Sequence, residues 1–447
     1  MTLTKAGYVE RDMRYMIHSL HHRGLQQTGH IWVRGEGAYL YDADGKPFID
    51  CLSGLWNVIA GHGRTELVQV AAEQMQTLAY VSGYAGSNNP PAILLAEQLA
   101  QLSYPNIKRF FFTSGGGEST DAAVKTARYY WKLKGKPTKT TIICRQWGYH
   151  GTTLAAMSAT GVPSYWPMFE PLAPGFMHIP SPYPYRYVAP PGSASQGIAA
   201  ADELEKAILK VGPENVAMFF AEPVQGGTGV IVPQDDYFPR IREICDKYDV
   251  LMVMDEVITG FGRTGRMFGL ERYGVQPDMY TFAKGITSGY FPLGGVGMND
   301  EIAGVLDKGD MMWMHAYTYS GHPVGCAIAL RNLRIIKEEN FPKLAEEKGA
   351  YLLKKLKEEL ADHPHVGEVR GLGLMCGVEF VQDKKTKAEF PASEQIGPKV
   401  HLATQERGMY TRLRGDVYLL APPMITEYET LDEMVAILKD SIKAVLG

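Results

Sequence analysis

Two short apolar runs, each cut off by a charge, constrain this chain more than anything else in it. Val250 to Met254 reads Val-Leu-Met-Val-Met and stops at Asp255-Glu256. Met279 to Ala283 is the second, and it stops at Lys284-Gly285. A Gly/Arg/Thr-rich loop, Thr259 to Gly265, lies between them. An unbroken apolar run of this length bounded by polar residues predicts a strand buried on both faces. Such strands belong to mostly parallel sheets covered by helices, and open α/β sheets bind ligands at the edge formed by the strands' C-terminal ends. An acid and a lysine therefore stand at two strand ends on the ligand-binding edge.

Pyridoxal phosphate is a cofactor that asks for this pair. Its aldehyde needs an amine, and a partly desolvated lysine is neutral often enough to attack it. Its ring nitrogen needs a carboxylate beside it, which favours the protonated ring that draws electrons from the carbon losing a proton. On spacing alone, an ordinary structural ion pair of Asp255 and Lys284 reads the same way.

The flanking sequence repeats the pattern. Apolar runs at Phe110–Thr113, Thr140–Cys144 and Val216–Ala221 predict further strands, with helices at 118–134 and 237–248 among them. Strands alternating with helices predict βαβ units and a mostly parallel sheet. Ser114-Gly-Gly-Gly117 sits between a strand and a helix, an arrangement that offers backbone N–H groups to a phosphate. A tight turn would look the same, and no GxxxxGK[ST] occurs, so this is not a P-loop. Tyr149 and His150 follow a strand end, where they could stack on or cover an aromatic ring. Residues 163 to 192, rich in Pro, Tyr and Gly, lack clear periodicity and read as an ordered surface excursion. Before all this, Ile31 to Asp50 reads as a small β-meander with a turn at Asp44-Gly45. After it, helices at 323–339 and 341–360 lead into a C-terminal α+β region, with strands within 369–380 and at 418–421 and helices at 396–407 and 431–445. Arg412 and Arg414 lie just before its late strand, where a pair of arginines can clamp a carboxylate.

Composition removes other classes. The net charge of −4 over 447 residues leaves no basic footprint for nucleic acid. Five scattered cysteines without a CxxC pair give neither a disulfide framework nor a cysteine zinc site. His18, His21 and His22 have helical spacing, but no second ligand cluster accompanies them, so no metal is expected. The first residues carry charges where a signal peptide needs an apolar core, and no apolar run is long enough to span a membrane. A soluble protein of a reducing compartment, the cytoplasm, is expected.

Taken together, eight stretches spread along the chain resemble the class III pyridoxal-phosphate aminotransferases of fold type I, and within them the ω-aminotransferases. They are Ser53-Gly-Leu-Trp-Asn57, Tyr149-His-Gly151, Glu222-Pro-Val-Gln225, Asp255-Glu-Val-Ile-Thr-Gly-Phe-Gly-Arg-Thr-Gly265, Ala283-Lys-Gly285, Thr318-Tyr-Ser-Gly-His-Pro323, Arg412-Leu-Arg-Gly-Asp416 and Ala421-Pro-Pro423. The resemblance implies an α/β fold whose large domain, residues 61–325, holds the mostly parallel sheet and the cofactor. A smaller α+β domain would be built from both chain ends, 1–60 and 326–447.

The resemblance also implies roles. Lys284 matches the lysine that bonds the cofactor aldehyde and shuttles the proton, and Asp255 the partner of the ring nitrogen. Val257 and Tyr149 match residues covering the two ring faces, and Glu222 belongs to the cofactor-binding set. Gly116 and Gly117 match the phosphate cup, and Thr318 a threonine that reaches the phosphate in the neighbouring subunit. A homodimer, or a pair of such dimers, with shared sites is thus implied. Trp56 matches a wall of the substrate pocket, and Tyr149 belongs to the substrate-binding set as well. Arg412 matches a mobile arginine that pairs with a carboxylate and swings away for amines, with Arg414 as the alternative. One departure stands out: the family usually carries Ser-Gly-Ser where this chain has Gly115-Gly116-Gly117. Each missing charge-assisted hydroxyl contact is worth about 1.5–3 kcal/mol, so looser cofactor retention is expected. The implied activity is ping-pong transfer of an amino group from an amine or ω-amino acid to a keto acid, pyruvate being the expected acceptor. A mutase, racemase or decarboxylase on the same scaffold would share Asp255 and Lys284.

Overall fold

Seven strands form the central sheet of a computed structural model that describes residues 4–447. Their order is Ile107–Thr113, Gly294–Asn299, Met279–Phe282, Leu251–Asp255, Val216–Ala221, Thr141–Arg145 and Phe176–Ile179. Only Gly294–Asn299 runs against its neighbours; every other pairing is parallel. This antiparallel strand is glycine-rich for a steric reason. A Cβ at Gly295 would lie 2.5 Å from the Phe282 ring, and one at Gly297 would lie 2.6 Å from the Tyr280 ring. The aromatic side chains of the next strand thus lie across its backbone.

The apolar runs are buried on both faces, as their composition requires. Leu251 and Val253 pack with helix Gly116–Leu133, whose Ala122, Ala123, Ala127 and Trp131 face the sheet. Met252 and Met254 point the other way, into a core shared with helices Gln196–Val211, Tyr237–Lys247 and Pro323–Glu338. Alternate side chains of one strand therefore feed two cores, and each fully buried side chain contributes about 1.5–3 kcal/mol.

The excursion expected over 163–192 is corrected by the structure. Phe176–Ile179 within it is the edge strand of the central sheet, pairing in parallel with Thr141–Arg145. Helix Gln196–Val211 is a second addition to the expected elements; its Ser195 cap accepts a hydrogen bond from the Ile198 N–H at 3.0 Å. His18, His21 and His22 do not share a helix face, because residues 16–22 are irregular between helices Lys5–Tyr15 and Arg23–Thr28. His18 pairs instead with Asp12 at 2.8 Å.

Two small sheets complete the fold. The meander Trp32–Glu36, Tyr39–Asp42, Pro47–Asp50 is closed by Met409–Tyr410, which pairs in parallel with Pro47–Asp50. The other sheet is antiparallel, in the order Val366–Gly371, Cys376–Phe380, Val417–Leu420, Leu413–Arg414. Among the described residues, no helix is long and apolar enough to cross a membrane. The five cysteines are buried free thiols.

Candidate active site

Neighbouring parallel strands end together on one edge of the central sheet. Val216–Ala221 hands over to Glu222, Leu251–Asp255 ends in Asp255, and Met279–Phe282 is followed closely by Lys284. Lys284 has φ +48°, so the chain turns sharply out of its strand at this residue. Asn332 on helix Pro323–Glu338 anchors the turn by donating to the Gly285 and Ile286 carbonyls at 2.8 and 3.0 Å. As a residue Lys284 is half-buried, but dense protein surrounds its amine. Burial pulls its pKa from 10.5 to about 8, against the pull of Asp255 and Glu222 and with a push from Arg412. The neutral, nucleophilic amine is therefore within reach near neutral pH.

Asp255 is almost wholly buried. One carboxylate oxygen meets His150 Nδ1 at 2.7 Å, and the other accepts the Val257 N–H at 3.0 Å. The His150 imidazole is buried against Phe220, with centroids 4.3 Å apart, and is turned to Asp255 rather than left free to cover a ligand ring. Each Asp255 oxygen keeps a lone pair beyond these contacts. Glu222 is held by two backbone donors, Tyr149 and Gly226, each at 3.1 Å. Burial raises its carboxyl to about 7; His150 opposes that rise and Asp255 adds to it.

The glycine loop begins helix Gly116–Leu133. The first N–H groups of a helix have no intrahelical partner, and here they belong to Gly116, Gly117 and Glu118. Glu118, which would repel an anion, curls back to accept the Ser114 N–H at 2.8 Å. A Cβ on Gly116 would lie 3.1 Å from a Val257 methyl, so glycine is what lets Val257 lie against the loop. A buried carboxylate, a lysine of lowered pKa and a helix start with free N–H groups match the ring nitrogen, aldehyde and phosphate of pyridoxal phosphate. The residues present fit this cofactor.

Around this centre the other expected residues are placed unequally. Tyr149 is half-buried, and burial raises its phenol pKa, with Tyr165 and Arg412 also close enough to influence it. Arg412 is exposed and forms no ion pair among the described residues, although its charge bears on Lys284 and Tyr149. Arg414 is engaged elsewhere: it stacks over Trp147 at 3.7 Å and donates to the Thr228 carbonyl at 3.0 Å. Trp56 is buried, in an apolar cluster with Val224, Ile258 and Leu419. Its loop is strained, with Ser53 at φ +49° and Trp56 at +66°. Two residues that sequence reasoning missed hold that strain. Asp50 accepts the Gly54 N–H at 2.6 Å and pairs with His62 at 2.8 Å. The fully buried Arg263 donates to Ser53 Oγ at 2.9 Å and to the Pro422 carbonyl at 2.6 Å. Thr318 stands apart from the strand ends, exposed, its carbonyl accepting from Tyr80 at 2.8 Å. Its neighbour Tyr317 donates to the Glu118 carbonyl at 3.2 Å, which brings the segment to the first turn of the glycine-loop helix.

Comparison with known proteins shows the family. The family profile of the class-III aminotransferases matches residues 21–442. A putrescine–pyruvate aminotransferase of Pseudomonas aeruginosa is 42% identical over 417 residues, 93% of this chain and 91% of that protein. The crystal structure of an (S)-enantioselective ω-transaminase from Thermomicrobium roseum superposes with a TM-score of 0.96 at 46% identity, covering 100% of both chains. A PLP-bound amine transaminase from an uncultivated Pseudomonas species superposes with a TM-score of 0.90 at 36% identity, covering 93% of this chain and 95% of that one.

Proposed function

The chain belongs to the class-III aminotransferases and is a pyridoxal-phosphate-dependent ω-transaminase of fold type I, and we propose that Lys284 and Asp255 carry its chemistry, with an amine or ω-amino acid as donor and pyruvate as acceptor. When bound, pyridoxal phosphate supplies an aldehyde that accepts amines and a ring that takes up the electrons left when the substrate carbon loses its proton. Lys284 Nζ would be the base that moves that proton, a role that needs an amine neutral at working pH. Asp255, kept in place by His150 and the Val257 N–H, would be the carboxylate that favours the protonated form of the ring nitrogen. Val257 and Tyr149 would cover the ring, Glu222 would border it, and the N–H groups of Gly116 and Gly117 would hold the phosphate. Arg412 binds the carboxylate of the keto acid and turns outward when a plain amine occupies the same pocket; Trp56 closes one side of that pocket.

The observation that carries this reading is one pair of strand ends: a lysine whose pKa falls to about 8 next to a buried, histidine-held carboxylate. Thr318 supports a shared site in a homodimer, each chain lending it to the phosphate bound by its partner. The segment around it exposes Met311, Met312, Met314 and Tyr319, an apolar surface suited to burial between subunits. Five buried free cysteines suit a reducing cytoplasm.

The test is spectroscopic. Purified holoenzyme is mixed with excess 1-phenylethylamine and then with pyruvate. The visible absorbance band is expected to bleach with the amine and return with the keto acid. A band that persists in the presence of simple amines and of ω-amino acids would overturn the proposal.

A further inference from the structure

Arg412 and Arg414 lie on one tight hairpin, in which Leu413 pairs with Tyr418 and Arg414 with Val417. The backbone at Arg412 is tied into the sheet, its carbonyl accepting the Leu419 N–H at 3.2 Å, while its side chain is exposed. Arg412 immediately precedes the two-residue strand Leu413–Arg414, so the two arginines lie on one short segment. Their fates differ. The Arg414 guanidinium sits 3.7 Å from the Trp147 ring centroid, and its Nη1 donates to the Thr228 carbonyl at 3.0 Å. Thr228 in turn donates its hydroxyl to the Trp147 carbonyl. No carboxylate pairs with Arg414 among the described residues, although Glu379 and Glu389 are close enough to bear on its charge. A guanidinium placed over an indole and tied to a carbonyl is held by geometry rather than by counter-charge.

What Arg414 is held against matters. Trp147 has φ +61°, and its N–H donates to the Gly161 carbonyl at 2.7 Å. It opens the turn that carries Tyr149, bound through its N–H to Glu222, and His150, bound to Asp255. The contact therefore joins the segment bearing Arg412 to the turn supporting Asp255. We propose that Arg414 is a positioning residue for the acceptor half-reaction: stacked on Trp147, it fixes the point from which Arg412 reaches a keto-acid carboxylate. This rests on the assignment of Arg412 made above.

The two half-reactions of the holoenzyme separate the possibilities. Arg414→Ala is expected to raise the KM for pyruvate about tenfold, equivalent to about 1.4 kcal/mol, and to change the KM for 1-phenylethylamine by less than about twofold. Trp147→Leu should give the same split. The double variant should be no worse than the more impaired single variant, because the two act as one unit. Arg414→Lys, which keeps a cation over the ring but loses the planar stack, should recover part of the loss, and it replaces Arg414→Ala if that variant does not fold. An unchanged pyruvate KM, equal losses for pyruvate and amine, or additive losses in the double variant would each overturn the inference. Arg412→Ala separates this from the parent reading. If Arg412→Ala leaves the pyruvate KM unchanged, the Arg412 assignment itself fails. If it raises that KM while Arg414→Ala is silent, only the role of Arg414 fails.

Discussion

Lys284 shows how one side chain is tuned by its place in the fold. Burial takes its pKa from 10.5 to about 8, and the neighbouring acids reverse only part of that drop. Burial disfavours the charged form of a base, so the neutral amine appears as pH rises through about 8 rather than through 10.5. The rate at which apoprotein takes up pyridoxal phosphate, followed by growth of the visible band, should therefore rise with a midpoint near 8. A midpoint near 10.5 would mean that the amine is solvated. His150 is the second residue with a consequence. Its place after a strand end reads, in the sequence, as a position that could cover a ring; the structure turns it to Asp255 at 2.7 Å. Only the tertiary fold decides which way such a side chain points. Removing a hydrogen bond to a charged group costs about 1.5–3 kcal/mol. His150→Phe should therefore lower kcat by roughly tenfold to a hundredfold in both half-reactions, with little change in KM. A loss confined to KM would exclude this role.

At the scale of elements, legibility follows burial. The runs 250–254 and 216–221 are readable because a strand covered on both faces has to be apolar throughout. Phe176–Ile179 is not readable, because a short edge strand, mostly half-buried and flanked by proline and glycine, carries no period. The anchors Asn332 and Arg263 are invisible for another reason: their partners lie far away in sequence, and pairing of that kind leaves no local signal. The glycine loop is readable in kind, and the structure separates its three positions. Gly115 has extended backbone, and a Cβ placed there would meet nothing within 4 Å. A Cβ on Gly117 would meet Thr153 at an ordinary 3.5 Å. Gly116 is different, since a Cβ there presses on Val257 at 3.1 Å. Gly115→Ser and Gly117→Ser should fold normally, and each hydroxyl that reaches the phosphate should strengthen cofactor retention by about 1.5–3 kcal/mol. Gly116→Ser should weaken retention and lower activity by displacing Val257. Equilibrium dialysis of the cofactor against the three variants checks the order.

At the scale of the whole molecule, the surface around Thr318 is a cluster of exposed apolar side chains. Met311, Met312 and Met314 are each about three-quarters exposed, at 76%, 75% and 80%. Sedimentation should give a dimer. The pair Met312→Asp and Met314→Asp should shift it toward monomer and, if Thr318 is shared as proposed, reduce cofactor retention. An unchanged sedimentation coefficient would remove this surface from the interface. The small meander adds a constraint of another kind. Pro47–Asp50 finds its outer neighbour only in Met409–Tyr410, and Trp56 and Arg412 each lie within a few residues of that seam. Pairing segments this distant in sequence carries a loop-closure entropy cost and slows folding. During synthesis the meander must therefore wait with an open edge until nearly the whole chain has emerged. The segments that carry Trp56 and Arg412 are thus joined only where the two ends of the polypeptide meet.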